Sequence, residues 1–178
     1  MSALVRTVYV SNGRGGTVTP IATATNTPGP PIPVGLGPGL IVITPDGKTA
    51  YVTSDESIVV PIDTATGTPG PPIRVGVDRP GLHDQPDGIA ITPDGKAVYV
   101  ANIGSGTVAP IDTATNTPGP PIPVGQGPRA IAITPDGTTA YVGVRGEPGT
   151  VVPIATATNT PGQPIPVGDG PYAIAITP

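Results

Sequence analysis

I-T-P-D-G-K-T-A-Y-V, from Ile43 to Val52, is the stretch that decides how this chain folds. It opens at the end of a β-branched run. Pro45 then presets φ, Asp46 can bond its local backbone and Gly47 accepts positive φ, so the stretch reads as a tight reversal between two extended pieces. Working outward, T-P-D-G recurs at Thr92 to Gly95 and Thr134 to Gly137, and Thr177-Pro178 repeats its start. The Tyr-Val pair recurs at Tyr9, Tyr51, Tyr99 and Tyr141, with spacings of 42, 48 and 42 residues. A third block, P-I-(A/D)-T-A-T-(N/G)-T-P-G, begins at Pro20, Pro61, Pro110 and Pro153. Four copies in one fixed order define a tandem array with a unit of about 42 residues.

This periodicity overrules the bulk composition. Pro (28) and Gly (26) are abundant enough to suggest a low-complexity chain if they had no period. Yet 37% of the residues are apolar, mostly Val, Ile and Ala, and the formal charge is only −4, a balance that favours packed strands over solvated coil. There is no Cys, so disulfides, thiolate metal sites and Cys nucleophiles are excluded. Eight scattered Lys and Arg do not make a nucleic-acid surface, which needs clustered positive charge. No apolar run is long enough for a transmembrane helix. The start Met1-Ser2-Ala3-Leu4-Val5-Arg6 lacks the features of a secretion signal.

Each copy divides into four short extended pieces. The first is I-A-I-T or a variant, as at Ile131 to Thr134, and the T-P-D-G turn makes the second piece, with its Tyr-Val pair, antiparallel to it. The third is T-V-x-P-I-(A/D), as at Thr107 to Asp112, followed by a polar reversal. The fourth, P-I-P-V-G, as at Pro121 to Gly125, carries prolines that cannot donate to a ladder and is expected as one exposed edge strand. Four antiparallel strands per unit of this length predict an all-β chain of β-propeller blades. The expected blades are about 7–35 completed by 171–178, then 38–76, 86–125 and 128–168, in one array covering 1–178.

The blocks I-T-P-D-G-K-T-A-Y-V, T-V-x-P-I-D-T-A-T-N-T and P-I-P-V-G resemble the YVTN-type β-propeller repeat along nearly the whole chain. That resemblance implies a propeller fold and says little about chemistry. It also implies an extracellular or cell-surface setting, which no signal in this chain supports. Proteins of that kind commonly close seven blades, whereas four units are present here.

Joining the first strand at Ile174 to Thr177 with the three pieces that follow Thr7 would complete a fourth blade. Two assemblies satisfy this count: a closed four-bladed monomer, or two chains that exchange termini in an eight-bladed homodimer. Blade faces of Val, Ile, Ala and Thr, with no Trp or Phe, suit thin and nearly parallel blades, which favours the eight-bladed ring.

Catalytic constellations are sparse. His83 is the only His, and no G-x-S-x-G, P-loop or H-E-x-x-H motif occurs. Departures between repeats are more informative. A six-residue expansion, Val77 to Asp87, gathers His83, Asp84 and Asp87 in a loop; they could hold a metal or polar ligand, but the first reading is a solvated insertion. The position after Pro in P-x-(A/G/L)-I reads Gly39, Asp87, Arg129 and Tyr172. The candidate ligand site at a channel mouth is therefore Asp87, Arg129, Tyr172, His83 and Asp84, with no catalytic residue, metal or cofactor assigned. Asp46, Asp94, Asp136, Asp63 and Asp112 read as turn residues, and the four tyrosines as blade packing with a hydroxyl at the rim. Asp55-Glu56 and Arg145 to Pro148 read as solubilising turns.

The leading expectation is a non-enzymatic, self-assembling propeller scaffold, a fragment or engineered subset of a larger repeat protein. One alternative is an exported or cell-surface module that binds a small polar ligand, a glycan or a protein. The other is a lactonase- or lyase-like enzyme, resting on fold analogy. Nucleic acid and membrane insertion are not expected.

Overall fold

In the computed structural model of the protein, which describes residues 6–76 and 84–178, each predicted hairpin closes by its own turn chemistry. Gly47, Gly95 and Gly137 take φ of 75°, 72° and 74°, where a side chain would be strained. The Gly47 amide donates to the Thr44 carbonyl at 2.7 Å. Asp46 Oδ1 accepts from Thr44 Oγ1 and from the Lys48 amide, and Asp94 and Asp136 repeat both bonds.

The chain forms four antiparallel sheets that follow one another along it, and these turns lie within the second, third and fourth, between their first and second strands. The first holds β1 (Thr7–Asn12), β2 (Thr17–Ala22), β3 (Thr27–Pro28) and β4 (Ile32–Pro33). The second holds β5 (Ile41–Ile43), β6 (Thr49–Ser54), β7 (Ile58–Asp63), β8 (Thr68–Pro69) and β9 (Ile73–Arg74). The third holds β10 (Pro86–Ile91), β11 (Ala97–Asn102), β12 (Thr107–Asp112), β13 (Thr117–Pro118) and β14 (Ile122–Pro123). The fourth holds β15 (Pro128–Ile133), β16 (Thr139–Val144), β17 (Thr150–Ala155), β18 (Thr160–Pro161) and β19 (Ile165–Pro166). Among the described residues the helical piece is a single 3-10 turn at Gly13–Gly15, and no helix is long and apolar enough to cross a membrane.

The outer edge departs from expectation. In place of one fourth strand, two two-residue pieces pair with the same third strand, as β13 and β14 do with β12. The intervening Gly119-Pro120-Pro121 contains two residues without an amide hydrogen, so the ladder cannot run through it.

Apolar side chains are buried between successive sheets. Val18 and Ile32 of the first sheet pack with Ala50, Val52 and Ile62 of the second. Tyr51, Val59 and Ile73 of the second pack with Val98, Val100 and Ile111 of the third. Tyr99, Val108 and Ile122 of the third pack with Ala140, Val142 and Ile154 of the fourth. Full burial contributes about 1.5–3 kcal/mol for each Val or Ile, so these three repeated interfaces hold the stack together.

The expected pairing of Ile174–Thr177 with the strand at Thr7 is not made within the chain. β1 pairs with β2 alone, and residues 167–178 form no strand. Pro171 and Ile174 lie instead over Gly143 of β16, against the fourth sheet. The closed four-bladed ring is thus absent from the single chain.

Candidate functional site

Two first strands, β10 and β15, begin irregularly. Along β10 and β11, Pro86 faces Asn102 and Ile89 faces Val100, so Asp87 and Gly88 together oppose Ala101. Along β15 and β16, Pro128 faces Val144 and Ala130 faces Gly143, which leaves Arg129 as an extra residue. Such bulges bend a strand and re-aim the side chain at the bend. Here they turn Asp87 and Arg129 towards one another.

The two strands also approach closely. A Cβ on Gly88 would run into the backbone carbonyl oxygen of Arg129, so glycine is required for the approach. Arg129 Nε lies 3.7 Å from Asp87 Oδ2, with the two side chains 33% and 38% exposed. On its other side the Arg129 guanidinium carbon sits 5.3 Å from the centre of the Tyr172 ring. A partly exposed ion pair is worth about 0–1 kcal/mol and a solvated cation–π contact about 0.5–1 kcal/mol. Both orient the guanidinium without saturating it. Among the described residues neither terminal nitrogen of Arg129 has a hydrogen-bond partner, which leaves a fork suited to a carboxylate or phosphate.

Asp87, Arg129 and Tyr172 line a cavity of about 270 Å³ whose apolar wall includes Leu40, Ile89 and Ile131. A second cavity of about 250 Å³ shares Arg129 and Tyr172 with the first and is lined also by Arg145 and Pro171. The structure therefore brings together three of the expected site residues. Asp84 is 3% exposed and packs against Gly76, away from the cavity wall. His83 lies outside the described residues. Among the described residues no group of three or more His, Cys, Asp or Glu is placed to hold a metal ion.

Sequence reasoning missed Arg145, assigned to a solubilising turn, and Leu40. Arg145 follows β16, and antiparallel pairing puts the end of a second strand beside the start of a first, so its amide donates to the Gly127 carbonyl at 3.1 Å. Glu56 is likewise more than a solubilising charge, since its Oε2 accepts from the Leu36 amide at 3.2 Å.

The remaining acidic residues serve turns. Asp63 accepts from the amides of Ala65 and Thr66 and Asp112 from that of Thr115. The Thr66 and Thr115 bonds hold both carboxyls below the usual carboxylate range. Thr44, Thr92 and Thr134 do the same for Asp46, Asp94 and Asp136. Tyr9, Tyr51 and Tyr99 join sheet to sheet, Tyr51 Oη donating to Asn116 Oδ1 at 2.7 Å, Tyr9 Oη to the Thr64 carbonyl at 3.2 Å and Tyr99 Oη to Asn159 Oδ1. Burial raises the pKa of Tyr9, Tyr51 and Tyr99, keeping each phenol protonated as a donor.

No family model and no curated protein matches the chain. Solved structures do. The Kuenenia stuttgartiensis hydrazine synthase is 28% identical, with a TM-score of 0.82 over 91% of this chain and 46% of its own. A protein described as a "putative 6-phosphogluconolactonase" from Bacteroides uniformis is 20% identical, with a TM-score of 0.77 over 99% of this chain and 59% of its own. This chain thus spans about half the length of the solved structures it matches. Both neighbours carry the names of enzymes, which overturns the expectation of a non-enzymatic, self-assembling scaffold. With the second likeness confined to fold, the comparisons make this an all-β chain of four successive antiparallel sheets, similar over nearly its whole length to structures that include named enzymes.

Proposed function

We propose that the four sheets are blades of a β-propeller built from YVTN-type repeats, and that the cavity of Asp87, Arg129 and Tyr172 takes a small hydroxylated anion as substrate. The observation that carries this reading is the Arg129 guanidinium, held between Asp87 and the Tyr172 ring in the wall of the cavity. Arg129 would receive a carboxylate or phosphate through two parallel N–H donors. The exposed Tyr172 ring offers an apolar face to a sugar-like carbon skeleton. Asp87 accepts hydrogen bonds from hydroxyl groups or from a water beside the ligand.

Hydrolysis of an anionic lactone is the reaction this arrangement serves best, and the likeness to the Bacteroides uniformis protein makes it the first to test. Water attacks the lactone carbonyl and passes a proton to Asp87. The ring oxygen leaves as the alcohol by taking that proton back from Asp87, which regenerates the carboxylate, and Arg129 retains the hydroxy-acid product.

Sugar-acid lactones, with and without a phosphate, should be offered to the protein in a pH-stat, which reads the acid released. The reading requires acid release above the spontaneous rate and its loss in Arg129→Ala and Asp87→Asn. Turnover that is absent, or indifferent to both substitutions, removes the assignment.

A further inference from the structure

The fourth repeat carries arginine at two register positions where the other copies do not. Arg145 stands four residues past Tyr141, and the same place after Tyr9, Tyr51 and Tyr99 reads Gly13, Asp55 and Ile103. At the position of Arg129 the other copies read Gly39, Asp87 and Tyr172. The second repeat therefore combines Gly39 with Asp55 and the third Asp87 with Ile103, whereas the fourth combines Arg129 with Arg145. Both arginines line the cavity of about 250 Å³, together with Gly170, Pro171 and Tyr172, and among the described residues no acidic side chain lines it.

Backbone contacts hold this cavity in shape. The Arg145 amide donates to the Gly127 carbonyl at 3.1 Å. A Cβ on Gly127 would come within 3.3 Å of Arg145 Cβ, so the root of the arginine lies against that glycine. The Gly170 amide donates to the Gly146 carbonyl at 3.2 Å, and the Val167 amide to the Gly149 carbonyl at 2.9 Å. A Cβ on Gly149 would run into the Pro171 ring. The turn that carries Arg145 and the segment that leads into Tyr172 thus hold each other in place.

Charge decides what such a cavity takes. Asp87 offsets part of the Arg129 charge at 3.7 Å, but among the described residues Arg145 has no ion pair. Two like charges in one cavity repel until an anion joins them. A carboxylate brings one charge and two oxygens. A phosphate monoester brings about −1.5 to −2 charge at pH 7 and three strong acceptor oxygens, enough to accept from both arginines.

We propose that Arg145 is a specificity residue, which with Arg129 receives the phosphate of a phosphorylated sugar acid or of its lactone. The two cavities share Arg129 and Tyr172, so one ligand can lie across both, with its phosphate in the second and its reacting carbonyl beside Asp87 in the first. The assignment rests on the first cavity's holding a hydroxylated anion, and it narrows that anion to a phosphate monoester.

Titration calorimetry with gluconate, its 6-phosphate and inorganic phosphate tests this at about 0.15 M salt, where charges more than about 8 Å away are largely screened. Wild type should bind the 6-phosphate at least about tenfold more tightly than gluconate, the value of one charge-assisted hydrogen bond. Arg145→Ala should bring the two affinities to within about threefold. Arg145→Gln, which keeps most of the aliphatic stem, should do the same, and Arg14→Ala should keep the wild-type gap. Strand circular dichroism checks that each variant folds. Gluconate bound without any preference for its 6-phosphate, or a preference that survives both Arg145 variants, overturns the role of Arg145 and leaves the first cavity's reading standing. Inorganic phosphate bound as tightly as the ester overturns the ester assignment. If neither gluconate nor its 6-phosphate binds, both readings fall together.

Discussion

Tyr99 Oη and Asn159 Oδ1 lie 2.7 Å apart, sixty residues apart in sequence, and fasten the third sheet to the fourth. Asn159 can accept this bond because it sits at φ 55°, a left-handed conformation that Asn tolerates better than most residues. Tyr99→Phe is expected to cost about 0.5–1.5 kcal/mol, the net value of one hydrogen bond. Asn159→Ala should cost more than Asn159→Gly, since glycine loses the bond and keeps the backbone. The second repeat already carries Gly67 there, at φ 68°. Urea unfolding ranks the three variants, and equal costs for Ala and Gly would refute the backbone argument.

Gly88 faces the Arg129 carbonyl with no room for a Cβ. Gly88→Ala is therefore expected to push β10 from β15, cost about 1–3 kcal/mol as an overpacked contact, and weaken anion binding along with it. Thermal melts with and without ligand separate the two effects. A variant as stable as wild type would mean that the strands are not held this closely.

The turn carboxylates give stability a pH dependence with a definite sign. Asp46, Asp63, Asp94, Asp112 and Asp136 are all held below the ordinary value of 3.8, first by Thr side-chain bonds at Asp46, Asp94, Asp112 and Asp136 and by the Thr66 amide at Asp63. Depressed folded values mean that their stabilisation is present above 3.8 and lost as pH falls through the folded values. Melting temperature should be flat from neutrality towards pH 5 and fall below about pH 4. Thr44→Val and Thr92→Val should flatten that fall, which a pH series of melts reads directly.

Much of this architecture could be read from residues alone. T-P-D-G specifies its turn through three local preferences, and each copy of it folds as expected. Asp87, Arg129 and Tyr172 meet because they hold one register position, and equal positions in a stacked repeat fall side by side. The bulges at Asp87-Gly88 and Arg129 leave no mark in the sequence, because they depend on how β10 and β15 pair with their neighbours. Arg145 was legible in principle from antiparallel pairing, which sets the end of β16 beside Gly127. The divided outer edge was half legible: proline predicted an edge, but the double proline also interrupts it. Closure of the ring depends on the angle between sheets, a collective property of packing that no single residue carries.

Arginine at 129 should not be replaceable by lysine at the site. Lys offers a point charge in place of a planar fork, so Arg129→Lys is expected to lose about tenfold or more in affinity for a carboxylate or phosphate ligand, near 1.4 kcal/mol. Tyr172→Ala should lose less, about 0.5–1 kcal/mol, the value of the ring contact that orients the guanidinium. Titration calorimetry of both variants checks the order.

Calorimetric titration of the wild-type chain with gluconate and with its 6-phosphate, repeated on Arg129→Ala and on Arg14→Ala as a surface-charge control, tests the proposed site most directly. The account predicts saturable binding of at least one of these anions, abolished in Arg129→Ala and unchanged in Arg14→Ala. Binding that survives Arg129→Ala, or no binding of either anion by the wild type, would contradict it.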